Sequence, residues 1–308
     1  MCNDARFCGF LQWRMDRVVS ASAANGTVSF VAGITTELVR QTAHRHGLAP
    51  TASAAVGRLV TAAALLGSSL KGPERLTLQI AGDGPIGKIV ADAWSAGEGI
   101  IGARGYARNP LADLPVNVIG KFDVAGVIGK GQLQVTKSYE IGQPYVGIVP
   151  LETGEIGEDI ASYLANSQQI PSIVALGVLA DPSGIRAAGG VIAQLMPGAD
   201  EATIVKLEKN ALDMAPVTTQ ISDGADATDL IARLSYGLEL KTYDTGWDVR
   251  FDCFCTQERV ERALVGLGKD ELMKLATEQP ETEATCEFCK KRYVLSAADV
   301  ERLVAKLD

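Results

Sequence analysis

The feature that most constrains this chain is the spacing of its cysteines. Two close pairs, Cys253-Phe254-Cys255 and Cys286-Glu287-Phe288-Cys289, lie in the last fifth of the 308 residues. Two such pairs separated by a loop can supply four thiolates to one tetrahedral cation, which is what a structural zinc site requires. The pattern therefore predicts one zinc ion per chain, bound by Cys253, Cys255, Cys286 and Cys289.

A site made of four thiolates is closed, because it leaves no open position for a substrate or a catalytic water. We therefore expect a structural or regulatory site and not an enzyme. A module of about 60 residues has a marginal core of its own, whereas zinc ligation contributes on the order of 10–16 kcal/mol to coupled folding. Oxidation of the sulfurs would remove the metal, so the sequence predicts a redox-active module that unfolds when oxidised.

Composition and charge set wider limits on function. No apolar run reaches the roughly 18–20 residues that a membrane helix needs, so we expect no membrane partner. Residues 1–195 carry 15 acidic and 15 basic side chains, whereas residues 196–308 carry 22 acidic and 14 basic ones. The whole net charge of −8 therefore arises in the part that contains the cysteine pairs. This acidic balance argues against nucleic acid as a partner.

The first residues lack the features of an export signal. Residues 1–14 have no apolar core of the secretory type, and we expect them to be an extension, disordered or artefactual, with Cys2 and Cys8 incidental. We expect a cytoplasmic protein, in a reducing compartment where paired cysteines are thiolates on a metal. A disulfide framework is the alternative.

Beyond that extension, the chain divides into three parts. Residues 15–196 predict a mixed α/β core domain, 197–247 a helical linker with apolar stripes that need a partner, and 248–308 the zinc module. The predicted fold class is α+β. Within the core, apolar patterns predict strands over Arg17–Ala23, Thr27–Ala32, Arg75–Ala81, Lys88–Trp94, Gln132–Tyr139 and Ile173–Leu179, and helices over Thr36–His46, Ser53–Leu70, Ile156–Asn166 and Ile185–Leu195.

Three further patterns are weaker. Gly82–Gly87 matches G-x-G-x-x-G, but the residues after it alternate like a strand, so a hairpin turn is the better interpretation than a dinucleotide site. The only histidines, His44 and His46, are predicted on a solvated helix end. The carboxylates between Glu152 and Asp159 predict a solvated helix start and not an acid/base pair.

Several stretches resemble one known family. The run Phe251–Cys255, followed by Cys286–Cys289 and Tyr293, resembles the redox-switch domain of the 33 kDa heat-shock protein family, the redox-regulated bacterial holdase chaperones. Resemblance to the N-terminal core of that family is found in Gly82–Trp94, Ala103–Pro110 and Pro144–Ser172. The resemblance extends from about Met15 to the C-terminus.

The resemblance implies an ATP-independent chaperone that binds unfolding or oxidatively damaged proteins and prevents their aggregation. It implies that the reduced, zinc-bound chain is inactive. Oxidation would form the bonds Cys253–Cys255 and Cys286–Cys289, release zinc, and unfold the zinc module and then the linker. A homodimer of the oxidised form is also implied, whereas no client-binding residues are assigned.

Two other functional classes stay open. A zinc-ribbon regulator that binds nucleic acid predicts a basic surface and salt-dependent binding. A thiol-disulfide oxidoreductase that uses Cys286 and Cys289 predicts disulfide turnover and an attacking thiol of low pKa at a helix start.

Overall fold

The structure, a computed structural model, describes residues 15–118, 120–305 and 307. The predicted extension with Cys2 and Cys8 lies outside the described residues. The strands are β1 (Arg17–Ala23), β2 (Val28–Ile34), β3 (Arg75–Gly82), β4 (Lys88–Gly97), β5 (Ile100–Ala107), β6 (Gly131–Ser138), β7 (Tyr145–Pro150), β8 (Ser172–Asp181), β9 (Gly184–Leu195), β10 (Leu240–Phe251), β11 (Glu281–Thr285) and β12 (Arg292–Ser296). The helices are α1 (Thr36–His46), α2 (Pro50–Gly67), α3 (Val124–Ile128), α4 (Gly157–Ser167), α5 (Glu201–Asp213), α6 (Val217–Ser222), α7 (Ala227–Leu234), α8 (Gln257–Val265), α9 (Lys269–Glu278) and α10 (Ala297–Val304).

Among the described residues, ten strands form one sheet in the order β7-β6-β3-β4-β5-β10-β1-β2-β9-β8. Strand β10 pairs in parallel with β5, from Asp248 opposite Ile100 to Phe251 opposite Ala103. It pairs with β1 on its other side in the antiparallel sense. Because β10 runs directly towards Cys253, the first cysteine pair follows a strand in the middle of the core sheet.

One face of the sheet packs on α2. This helix begins at Pro50, where the missing backbone N–H is not needed, and continues through alanines, which are the best helix formers. Nearly all of its side chains are buried, and Leu59 and Leu65 pack with Ile80 and Ile89 of the sheet in the largest apolar core. A helix that is apolar on nearly all sides is stable only when it is enclosed by other elements.

The other face of the sheet, over β1, β2 and β9, is covered by the linker helices α5, α6 and α7. Leu207, Leu230 and Leu234 of these helices are buried against Phe30 and Val191 of the sheet. Asp200 and Asp226 cap α5 and α7 by accepting hydrogen bonds from backbone N–H groups of the first turn. The apolar stripes of the linker therefore have the partner that their sequence requires.

Two sequence predictions are wrong at the level of secondary structure. Ile185–Leu195 forms strand β9 and not a helix, because it is buried on both faces between β2 and β8 and an apolar run of that kind has no diagnostic period. The linker predicted as helical over 197–247 is helical only as far as α7, because the residues from Leu240 onwards form strand β10. The domain limits themselves stay predictions.

Other local predictions are confirmed. Strand β1 and helix α1 have the predicted limits, and Gly82–Gly87 forms the turn of an antiparallel hairpin between β3 and β4. Gly87 has a φ of +70°, in the left-handed region that favours glycine. This geometry excludes the strand-to-helix turn that a dinucleotide site needs. Within the described part of the chain, none of the helices has the length and apolar character needed to cross a membrane.

The residues after Asp252 form a small module around the hairpin of β11 and β12. Its core brings together buried side chains of α9, β12 and α10, namely Leu272, Leu295, Val300, Leu303 and Val304. A capping box is present at the start of α10, where the Asp299 carboxylate accepts from the Ser296 backbone N–H at 2.9 Å.

Candidate metal centre

The four cysteines of the two motifs lie in two short loops. Cys253 and Cys255 occupy the segment between β10 and α8, and α8 is capped by the hydroxyl of Thr256. Cys286 and Cys289 lie in the turn between β11 and β12, which closes through a 2.9 Å hydrogen bond from the Lys290 N–H to the Cys286 carbonyl. A turn of this kind directs both of its sulfurs towards one point.

The four sulfurs converge across the two motifs. All four Sγ atoms lie within 4.8 Å of one another. Cys253 and Cys286 are 3.8 Å apart, and Cys255 and Cys289 are 3.3 Å apart. A tetrahedron with metal–sulfur bonds of ~2.3 Å has sulfur–sulfur edges of roughly 3.8 Å. The structure thus brings together all four cysteines predicted as ligands, and this donor set could bind a metal ion.

Hydrogen bonds and burial shift the pKa values of the cysteine thiols in opposite directions. Burial raises the pKa of the Cys255 thiol, but hydrogen bonds from the Tyr293 hydroxyl at 3.1 Å and from the other thiols outweigh it and leave the pKa at about 7. Burial is the main cause that raises the pKa of Cys289 to about 12. Burial also raises the pKa of Cys253, against the opposing effects of the Cys255 backbone N–H and the Arg104 charge.

The cysteine loops pack on the core sheet through an aromatic cluster around Arg104 of β5. The Arg104 guanidinium lies 4.2 Å from the ring centroid of Phe254 and 3.8 Å from that of Phe288. Trp94 of β4 meets Phe254 edge to face at 4.8 Å, and Tyr106 of β5 meets Phe288 at 4.9 Å. Each cysteine motif therefore contributes one phenylalanine to the contact with the core.

The solvated position predicted for His46 is wrong. His46 is only 8% exposed, and its Nε2 lies 2.8 Å from the Phe288 carbonyl oxygen, which is next to Cys289 in the chain. Burial lowers the pKa of this imidazole, which favours the neutral ring. The His46 side chain thus supports the second cysteine loop by a contact with the backbone of that loop, whereas His44 is exposed as predicted.

The carboxylates near the start of α4 have a structural role. Asp159 is fully buried and accepts hydrogen bonds from four backbone N–H groups, those of Glu152, Thr153, Gly154 and Ile156. The predicted helix start is therefore correct, whereas the predicted solvation is wrong for Asp159. Glu152 and Glu158 are exposed.

Arg104 and Asp92, the buried charges beneath the cysteine loops, were not predicted from the sequence. Both lie in strands of small and apolar residues, and β5 contains glycines that weaken its strand pattern. One of them, Gly102, is required because a Cβ there would lie 2.8 Å from the Trp94 ring. A lone Arg and a lone Asp in neighbouring apolar runs were the available signal, but only the sheet register shows that the two side chains meet.

Comparisons with known proteins agree with this architecture. The family model described as Hsp33 protein matches residues 16–296. The chain belongs to the Hsp33 family. It is similar to the 33 kDa chaperonins of Ruminiclostridium cellulolyticum, 41% identical over 290 residues, and Bacillus subtilis, 41% identical over 291 residues. Each of these alignments covers 94% of this chain and 98% of the relative.

A solved structure of the family has the same fold. The crystal structure of the 33 kDa chaperonin from Thermotoga maritima matches with a TM-score of 0.85 and 33% sequence identity, covering 95% of this chain and 99% of that one. The family resemblance and the fold class predicted from the sequence are therefore confirmed.

Proposed function

We propose that this chain is a redox-regulated, ATP-independent holdase and not an enzyme. It binds unfolding or oxidatively damaged proteins in the cytoplasm when its four cysteines are oxidised, and it is inactive when they are reduced and bind zinc. The family relatives are chaperonins by name, which supports a chaperone role. The observation that carries the regulatory part is the convergence of four sulfurs within 4.8 Å at the end of a central strand of the core sheet.

The donor set of the site fits zinc, because four thiolates of the two motifs are the ligands of a closed tetrahedral site. When bound, zinc would cross-link the four thiolates and hold them ionised at neutral pH. The rest of the module contributes a small apolar core on α9, β12 and α10. A core of this size is marginal by itself, so the cysteines are the main source of stability in the module.

Oxidation would convert the four thiolates into two disulfides, Cys253–Cys255 and Cys286–Cys289. In each pair, one S–S bond forms and two electrons leave the sulfurs. Hydrogen peroxide accepts these two electrons together with two protons from the solvent, its O–O bond breaks, and two waters form. A disulfide sulfur is neutral and is no longer the thiolate ligand that zinc requires, so the module loses both its cross-link and its fold.

The connection of Cys253 to β10 would carry this change to the linker. The linker helices α5–α7 directly precede β10 in the chain, and they cover an apolar face that includes Phe30 and Val191. When β10 and these helices loosen, the apolar face becomes available to an unfolding protein. The excess of acidic side chains in residues 196–308 keeps the opened chain soluble, and we propose that the oxidised form assembles as a homodimer.

Zinc content, free thiols and chaperone activity should change together. The reduced protein should contain one zinc per chain, and peroxide with mild heat should oxidise the four cysteines, lower the zinc content and suppress light scattering by a heat-denatured client protein. An insulin-reduction assay run beside it should show no turnover. Suppression of aggregation while zinc stays bound would contradict the proposed coupling, and catalytic insulin reduction would favour the oxidoreductase instead.

A further inference from the structure

The guanidinium of Arg104 connects the cysteine site to the core sheet. Arg104 is only 4% exposed. Its Nε and Nη2 donate to the Asp92 carboxylate at 3.1 and 3.0 Å, and its Nη1 donates to the Cys253 Sγ at 3.0 Å. A planar guanidinium can donate to a carboxylate and to a second acceptor at once because its donors point in fixed, different directions.

The charges around Arg104 are complementary to a metal-bound thiolate cluster. Asp92 is fully buried and also accepts from Arg75 and from the Thr77 hydroxyl, the latter at 2.7 Å. Two arginines and one aspartate leave one positive charge in excess on the core side. Four thiolates around a divalent cation carry a net charge of −2. The core therefore presents a cation where the cysteine site is negative.

The same guanidinium also contacts both cysteine motifs through their aromatic residues. Phe254, between the first two cysteines, and Phe288, between the second two, pack against it. A change in the conformation of either cysteine loop would therefore alter the contacts of one buried side chain of β5, Arg104. Strand β5 in turn is the parallel neighbour of β10, which leads to Cys253.

We propose that Arg104 is a positioning residue that couples the oxidation state of the cysteines to the core sheet. This inference rests on the proposed function and assigns its coupling contact. A Cys253 thiolate accepts the hydrogen bond from Nη1, whereas a neutral disulfide sulfur is a weak acceptor. Oxidation therefore leaves a buried N–H without an adequate partner, which is unfavourable, and the cysteine loops separate from β5.

The first test measures the rate at which the reduced, full-length protein transfers zinc to a coloured chelator. Arg104→Met should release zinc roughly 10- to 100-fold faster than wild type, because the loss of a residue that hydrogen-bonds to a metal ligand typically lowers metal affinity by this factor. Arg104→Lys should lie between the two, because it keeps the charge opposite Asp92 but has no planar fork. The matched control is Arg75→Met, which also removes a partner of Asp92 and a guanidinium contact with Phe254 but removes no hydrogen bond to sulfur. It should release zinc at about the wild-type rate if the hydrogen bond to Cys253 is the contact that matters.

The second test separates coupling from a merely structural role. If Arg104 acted only by pairing with Asp92, Arg104→Lys would lower the melting temperature of the core equally in the reduced and the oxidised protein. The proposal predicts a larger decrease in the reduced, zinc-bound form. Equal decreases, or zinc release from Arg104→Lys no faster than from Arg75→Met, would overturn it. The lysine variant decides the question if Arg104→Met does not fold, because a buried Asp92 that loses its partner is strongly destabilising.

The failure of this inference can be distinguished from failure of the proposed function. The proposed function fails in the wild-type protein, if that protein contains no zinc or does not respond to peroxide. The Arg104 inference fails only when wild type contains zinc and switches as proposed while the Arg104 variants behave like Arg75→Met.

Discussion

Single side chains of the core reach the cysteine loops over long distances in sequence. Arg104 contacts Cys253 across 149 positions, and His46 contacts Phe288 across 242 positions. The cysteines themselves were predictable, because the C-x-C and C-x-x-C spacings carry their chemistry locally. The residues that support them were not predictable from the sequence. An arginine or histidine can be identified as a support only when the tertiary structure shows that it contacts the cysteine loops.

At the residue scale, we expect Cys253→Ser to remove zinc and to abolish the folding transition of residues 252–305. A serine hydroxyl does not replace a thiolate ligand, and the loss involves on the order of 10–16 kcal/mol of coupled folding. Zinc content by atomic absorption and thermal unfolding check this. Cys8→Ser, outside both motifs, is the control and should keep its zinc. A Cys253→Ser variant with full zinc content and activation by peroxide would contradict the assignment.

Asp16 should make the stability of the core depend on pH. It is 4% exposed, and burial raises the pKa of its carboxyl from 3.8 to about 7, although the backbone N–H groups of Leu38 and Glu37 oppose this. Between these two values, the folded chain holds a proton at Asp16 that the unfolded chain has lost. The free energy of unfolding should therefore fall as the pH rises from about 4 to about 7. Asp16→Asn should remove this contribution in urea titrations at pH 5, 6 and 7. An unchanged slope would show that the carboxylate is already ionised when folded.

At the scale of secondary-structure elements, sequence patterns predicted the elements whose period is clear. Helix α1 alternates buried and exposed positions at helical spacing, and β1 lies between Asp16 and a turn that contains Asn25 and Gly26. The predicted limits of both elements were therefore correct. Strands β9 and β10 were not predictable for different reasons. The first is apolar on both faces, and the second belongs to the core sheet although it follows a helical linker in sequence. Both errors arise because tertiary packing decides between alternatives that are locally equivalent.

A mutation in the linker helices should detach them from the sheet without any change at the cysteines. Leu230 of α7 is fully buried against the sheet, and Leu230→Ala should cost about 2–5 kcal/mol of packing. We expect this variant to suppress client aggregation partly while still reduced and zinc-bound. Light scattering and zinc content, measured on the same sample, check this. Leu212→Ala on α5 is the control because Leu212 is 86% exposed. An inactive, destabilised Leu230→Ala variant would contradict the role of the linker face.

At the scale of the whole molecule, the proposed function implies that the large core sheet and the small module depend on different sources of stability. The core packs around α2 with many buried apolar side chains, whereas the module has a small core and the cysteine site. We expect removal of the metal with a chelator, under reducing conditions, to unfold the module first. Limited proteolysis with mass spectrometry should locate the early cuts within residues 252–305. Early cuts distributed over residues 15–196 would show that the core depends on the metal as well.

The central place of β10 also affects how the chain is made. Strands β1 to β9 leave the ribosome before β10. In the described part of the chain they form two blocks, β7-β6-β3-β4-β5 and β1-β2-β9-β8, that meet in the sheet only through β10. Until residue 251 has emerged, the facing backbone groups of β1 and β5 lack their native hydrogen-bond partners. Since translation proceeds at about 5–20 residues per second, each nascent copy spends several seconds with an open seam in its sheet and is itself at risk of aggregation during that time.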